Sequence, residues 1–186
     1  MAARVEGKFE SSARVTPANG ITLVRLLAAP VIVVAILDLG VSWLTLALWV
    51  VLASTDFVDG WVARRQGATT SGAFLDPLAD KFLVLGALTA LAADGHIGWL
   101  PVVLIAGREL VISGYRSAVA RHGVSVPARP LAKLKTASQD VAVGLLLLPG
   151  VGDAHPAAGR GVLWAAVALA LVSGAQYLMD ARRSAA

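Results

Sequence analysis

Residues 54–64 read STDFVDGWVAR and residues 72–80 read GAFLDPLAD. Asp56, Asp59, Gly60 and Ala63 are related by i, i+3, i+4 and i+7, which places them on one stripe of an α-helix. Gly72, Asp76 and Asp80 are related by i, i+4 and i+8, which makes a second stripe at the start of the next helix. A short turn between the two sets the helices antiparallel, so the stripes can face one another. Four carboxylates then converge beside side chains small enough to leave a cavity. These acids stand where long apolar runs end and begin, so their surroundings decide what kind of fold carries them.

The chain has 186 residues, of which 57% are hydrophobic and 15% charged, and its mean hydropathy is +0.73. A soluble domain of this size needs no such apolar excess, so an integral membrane protein is expected. The absence of cysteine excludes disulfides, zinc thiolates and cysteine nucleophiles. His96, His122 and His155 have no metal-ligand spacing and read as loop residues. The first twenty residues carry charge throughout and lack the apolar core of a signal peptide. Val5, Phe9 and Ala13 follow a helical step, which suits either a helix lying in the membrane interface or a frayed tail.

Six segments approach the roughly 20 apolar residues that a bilayer core requires: 20–38, 41–64, 74–94, 97–121, 131–150 and 158–181. Connectors centre on Asp38–Gly40, Arg65–Ser71, Asp94–His96, Arg121–Pro130 and Gly152–Gly159. Pro30 and Pro101 fall inside apolar stretches, where neighbouring helices can compensate for a lost hydrogen bond. The expected fold is all-α: one integral membrane bundle of six transmembrane helices over 17–183, preceded by an N-terminal cytoplasmic or interfacial segment over 1–16.

The basic residues orient it. Arg4, Lys8, Arg14, Arg64, Arg65, Arg121, Arg129, Lys133, Lys135, Arg182 and Arg183 fall on one side, and Arg160 alone on the other. Arg25, Lys81, Arg108 and Arg116 lie within spans. Both termini are therefore expected in the cytoplasm, with Trp43, Trp99 and Trp164 near the outer interface. The aspartates then sit at the cytoplasmic ends of the second and third helices.

Two carboxylates about 4 Å apart repel by roughly 4 kcal/mol at an effective dielectric near 20. Protonation, pairing with Arg64, Arg65 or Lys81, or divalent cations can relieve this. Pairing balances the charge but leaves the stripe of aspartates and small residues unexplained. Oxygen-only ligands favour hard cations such as Mg²⁺ or Mn²⁺, and four aspartates suffice for two ions sharing ligands, an arrangement suited to phosphoryl chemistry.

The eight positions Asp56, Asp59, Gly60, Ala63, Arg64, Gly72, Asp76 and Asp80, in this order and spacing, resemble the complete signature of the CDP-alcohol phosphotransferase family. These membrane enzymes displace CMP from a CDP-linked lipid or alcohol with another alcohol as nucleophile. The resemblance implies that Asp56, Asp59 and Asp76 are metal ligands and that Asp80 is the general base, itself close enough to touch a metal. It implies that Gly60, Ala63 and Gly72 let the cytidine nucleotide pack closely and that Arg64 contacts its phosphates. The stretch from Thr16 to Pro30, TPANGITLVRLLAAP, is similar to the family's opening of helix one, which puts Asn19, Thr22 and Arg25 near the nucleotide pocket. Two departures are visible: an extra residue in Pro17-Ala18-Asn19, and Ala132 where a glycine commonly stands. A homodimer is expected from the resemblance alone.

The second half bears on the acceptor. Arg108 and Arg116 share a face of helix four with Ile112 between them, and an arginine at membrane depth is expensive. Lys135 and Gln139, and likewise Thr136 and Asp140, are one turn apart at the start of helix five. One option pairs Arg108 with Glu109 or Asp140 as interhelical ion pairs. The other is a second anion pocket in which Arg108, Arg116, Lys135 and Thr136 hold an acceptor's phosphate. The stretches RELVISGYR and KLKTASQ are similar to the branch of the family that transfers the phosphatidyl group from CDP-diacylglycerol to sn-glycerol 3-phosphate. Phosphatidylglycerol, as in cardiolipin synthesis, and an inositol phosphate are the alternative acceptors. Outside enzymes, a cation-coupled transporter remains as a rival; it predicts acids spread along a path, whereas Asp56 to Asp80 crowd one end.

Overall fold

The computed structural model describes residues 17–66, 70–121, 130–152 and 154–185, with side chains over 26–55, 81–115, 134–152 and 154–179. Six helices run in order: α1 (Pro17–Leu39), α2 (Trp43–Gln66), α3 (Thr70–Ala93), α4 (Trp99–Arg121), α5 (Pro130–Leu147) and α6 (Ala157–Ala185). No strand occurs among the described residues. The segment holding Val5, Phe9 and Ala13 lies outside them, as does His122.

Local chemistry explains where the helices begin and end. α1 and α5 both open on proline, whose missing N–H is no loss in a first turn. α1 closes at Gly40, where a φ of 56° favours glycine and the Gly40 amide bonds back to the Ile36 carbonyl at 2.9 Å. α2 opens on a reciprocal cap: the Thr45 amide donates to Ser42 Oγ at 3.2 Å, and the Ser42 amide donates to Thr45 Oγ1 at 3.0 Å. Pro149 stops α5 at Leu147, three residues short of the apolar run that suggested 131–150. α3 starts at Thr70 rather than 74 and α6 continues to Ala185 rather than 181. In both cases the helix runs on past the apolar stretch, because a helix satisfies its own backbone whether or not its side chains are apolar. Pro101 lies in the first turn of α4 and needs no compensation from neighbours, unlike Pro30 inside α1.

The helices pack as a ring, α1–α3–α4–α6–α5–α2 and back to α1, with α3 also meeting α5 across the middle. Ile32, Ile36, Trp49, Leu88, Leu91, Ile105, Leu146 and Leu163 fill the interior, one or more from every helix. Three turns gather at one end. A Cβ on Gly40 would lie 3.9 Å from Asp94 Oδ2, and one on Gly152 would lie 3.3 Å from Val41 Cγ1. Arg160 donates from Nε and Nη2 to the His96 carbonyl at 2.9 and 2.6 Å, tying α6 to the α3–α4 turn. The His96 ring stands 3.1 Å from Asp94 Oδ2, so this histidine and His155 are turn residues as expected.

By length and composition one helix, over Ala157–Met179, can cross a membrane; Leu26–Leu39, Trp43–Thr55 and Lys81–Ala93 are shorter apolar stretches among the described residues. The six expected helices are present in the expected order, while among the described residues α6 meets membrane-spanning length and hydropathy.

Candidate active site

The expected site residues all lie on helices. Asp56, Asp59, Gly60, Ala63 and Arg64 occupy the closing turns of α2, and Gly72, Asp76 and Asp80 the opening turns of α3. Asn19, Thr22 and Arg25 belong to the first turns of α1. All of these are at the end of the ring opposite the three turns. Their side chains, and that of Arg116 in α4, lie outside the described residues, so the convergence of the carboxylates remains an expectation from helical spacing. That spacing is realised in the backbone, since α2 and α3 run unbroken through both stripes.

Immediately after Asp80 the described side chains begin, with Lys81, and with them an ionic cluster. Glu109 of α4 is 5% exposed and is the hub. Arg108 donates from Nη1 to Glu109 Oε1 at 2.8 Å, Lys135 of α5 donates to the same oxygen, and Lys81 Nζ of α3 stands 3.4 Å from Oε2. Lys81 also donates to Ser113 Oγ, one turn along α4 from Glu109. Arg108 is anchored on its far side by α6, from Nε to the Ala170 carbonyl at 3.2 Å and from Nη2 to Ser173 Oγ at 3.0 Å. Gly174 leaves the room for this: a Cβ there would meet Arg108 Cγ at 3.3 Å. One carboxylate set against three cations gives these four groups a formal charge of +2.

The geometry thus unites Arg108 and Lys135, two of the four residues expected to hold an acceptor phosphate, and it does so through the Arg108–Glu109 ion pair that was the competing option. The structure shows the ion pairs; the hold on a phosphate stays an expectation. A guanidinium has five N–H donors, and three are engaged by Glu109, Ala170 and Ser173. Ile112, one turn along α4 from Arg108, is buried, so the stripe faces inward at these two positions. Thr136 follows Lys135 and is half-buried. Gln139, one turn beyond Lys135, is 3% exposed, and its Nε2 has no hydrogen-bond partner among the described residues. Trp49 of α2 donates to the Asp140 carbonyl at 3.2 Å, fastening α5 to the helix that carries Asp56 and Asp59.

Ser113, Ser173 and the central place of Glu109 were not anticipated. Glu109 had a signal: an acid in an apolar helix is costly unless it has partners. The serines had none, because nothing in the sequence pairs Lys81 of α3 with Ser113 of α4, or Arg108 of α4 with Ser173 of α6.

As a donor set, Asp56, Asp59, Asp76 and Asp80 offer oxygen only, which fits a hard divalent cation. Among the described residues no group of three or more acids or histidines is placed to hold a metal.

Residues 15–172 match the family model described as CDP-alcohol phosphatidyltransferase, and the chain belongs to that family. Divalent metal ions are general to its members. The chain is 41% identical to a probable phosphatidylglycerophosphate synthase of Mycobacterium tuberculosis (strain ATCC 25618 / H37Rv), across 95% of this chain and 87% of the relative. It is 36% identical to the CDP-diacylglycerol–glycerol-3-phosphate 3-phosphatidyltransferase of Rickettsia bellii, across 89% and 94%. The enzyme of that same name from Bacillus subtilis is also 36% identical, across 86% and 91%.

Proposed function

We infer that the protein transfers the phosphatidyl group of CDP-diacylglycerol to sn-glycerol 3-phosphate, releasing CMP and leaving phosphatidylglycerol phosphate in the membrane. The names carried by its relatives support the reaction. The observation that carries it is the adjacency of Asp80 and Lys81 on α3. The last aspartate of the signature is followed at once by a cation cluster suited to a phosphate.

In this scheme Asp56, Asp59 and Asp76 hold the metal, with Asp80 close by. Bound divalent ions supply neutralisation of the diphosphate and of the charge developing on the departing CMP. Gly60, Ala63 and Gly72 leave room for the cytidine, Arg64 contacts its phosphates, and Asn19, Thr22 and Arg25 border the pocket. Asp80 takes the proton from the acceptor's hydroxyl. The freed oxygen attacks the β-phosphorus, the bond from that phosphorus to the CMP oxygen breaks, and CMP leaves. Arg108, Arg116, Lys135 and Thr136 orient the acceptor through its phosphate, which favours a phosphorylated acceptor over choline, ethanolamine or serine.

The same proposal makes 17–183 one six-span domain in a bacterial inner membrane, preceded by the segment 1–16, with both termini cytoplasmic. Large apolar side chains face outward on every helix, among them Val31, Val51, Phe82, Val103, Val141 and Val172. Hydrocarbon is the solvent that such a surface suits. A homodimer completes the proposal and rests on family resemblance alone.

Purified protein given labelled CDP-diacylglycerol with each acceptor separately tests the reaction. CMP release with sn-glycerol 3-phosphate is expected. Turnover only with phosphatidylglycerol or with an inositol phosphate would replace the acceptor, and no turnover with any alcohol would end the proposal.

A further inference from the structure

We propose that Glu109 is a positioning residue for the acceptor's phosphate, gathering Arg108, Lys135 and Lys81 into one group that grips a phosphomonoester. The inference rests on the transfer reaction proposed above.

Three observations carry it. All three cations bond to the one carboxylate, and they come from three helices: Lys81 from α3, Arg108 from α4 and Lys135 from α5. That carboxylate offsets the repulsion among three like charges brought this close. Second, the cluster is a poor way to build stability. Taking ions out of water costs several kcal/mol each, and apolar residues of similar volume pack helices as well or better. α4 has such residues to hand, because Leu110 and Val111 are turned outward while Glu109 is turned in. Third, the arginine is held from both sides. Ser173 and Ala170 fix one edge of its guanidinium and Glu109 the other, which sets its plane and leaves two of its five N–H donors for a ligand.

Glu109 does not itself meet the acceptor, since a carboxylate repels a phosphate. It works through the cations by fixing where their donors stand. A loss at this position therefore falls on acceptor binding and spares the CDP-lipid, whose proposed contacts are on α1, α2 and α3.

The test uses the full chain with Glu109→Gln, which keeps the shape and removes the charge, and Glu109→Asp, which keeps the charge and withdraws it by one methylene. Michaelis constants are measured separately for sn-glycerol 3-phosphate and CDP-diacylglycerol. In Glu109→Gln the acceptor constant is expected to rise about tenfold or more while that for the CDP-lipid stays within about twofold. Glu109→Asp is expected to fall between that variant and the parent. An unchanged acceptor constant, or both constants rising together, overturns the assignment. If Glu109→Gln cannot be purified folded, the same split in Glu109→Asp decides. A parent enzyme that ignores sn-glycerol 3-phosphate sinks the transfer reaction itself. A parent that uses it alongside a variant that behaves identically sinks only the role of Glu109.

Discussion

Asp80 and Lys81 are neighbours on α3 with opposite charges and, in the proposed reaction, opposite partners: a proton to be removed and a phosphate to be held. Replacing Asp80 with asparagine preserves size and removes the capacity to take a proton. Asp80→Asn should lower CMP release by about 10²- to 10⁴-fold, the usual worth of a positioned base. CDP-diacylglycerol binding should persist in that variant and disappear with excess chelator, as ligand binding to purified protein can report. Full activity in Asp80→Asn removes its assignment as base. The aspartates were legible in the sequence because a helix period of 3.6 turns spacing directly into a stripe. Arg108 and Lys135 were legible as expensive charges in apolar surroundings. That they share Glu109 was not, since 26 positions separate Lys135 from Glu109 along the chain and no local rule joins them.

Helix boundaries follow a different logic. Their ends were read to within a residue where a strong backbone preference coincides with the edge of an apolar run, as at Gly40 and Pro130, and were misjudged where hydropathy alone marked them, as at Pro17, Thr70, Pro149 and Ala185. The α2 start is the best-defined of these ends, because Ser42 and Thr45 cap each other through both amides and both hydroxyls. Ser42→Ala removes one side of that exchange and should destabilise the protein by about 1 kcal/mol. A fall of roughly 2–4 °C in the melting temperature in detergent is expected for a chain of this length. An unchanged melting temperature would mean that packing of Trp49 and Leu52 holds the start of α2 without its cap. The Gly40 carbonyl, which accepts from Thr45 Oγ1 at 2.9 Å, joins the end of α1 to the same device.

The ring of six helices sends its three short turns to one end and the signature aspartates of α2 and α3 toward the other. That asymmetry makes a topology prediction, and the natural absence of cysteine makes it clean to test. Ala154→Cys, in the exposed α5–α6 turn, should react with an impermeant maleimide added to intact cells. Ser12→Cys should react only after the membrane is opened. The reverse pattern inverts the protein and places the aspartates on the wrong side for a cytosolic acceptor. Six helices, their order and the aspartate stripes could be read from the chain, because they depend on composition and on contacts within one helix. Which helices are neighbours could not be read, and on that depends the meeting of Lys81, Arg108 and Lys135 with Glu109 and of Arg108 with Ser173. The physical reason is that period and propensity act over a few residues, whereas a buried charge chooses its partner by where packing brings a distant helix.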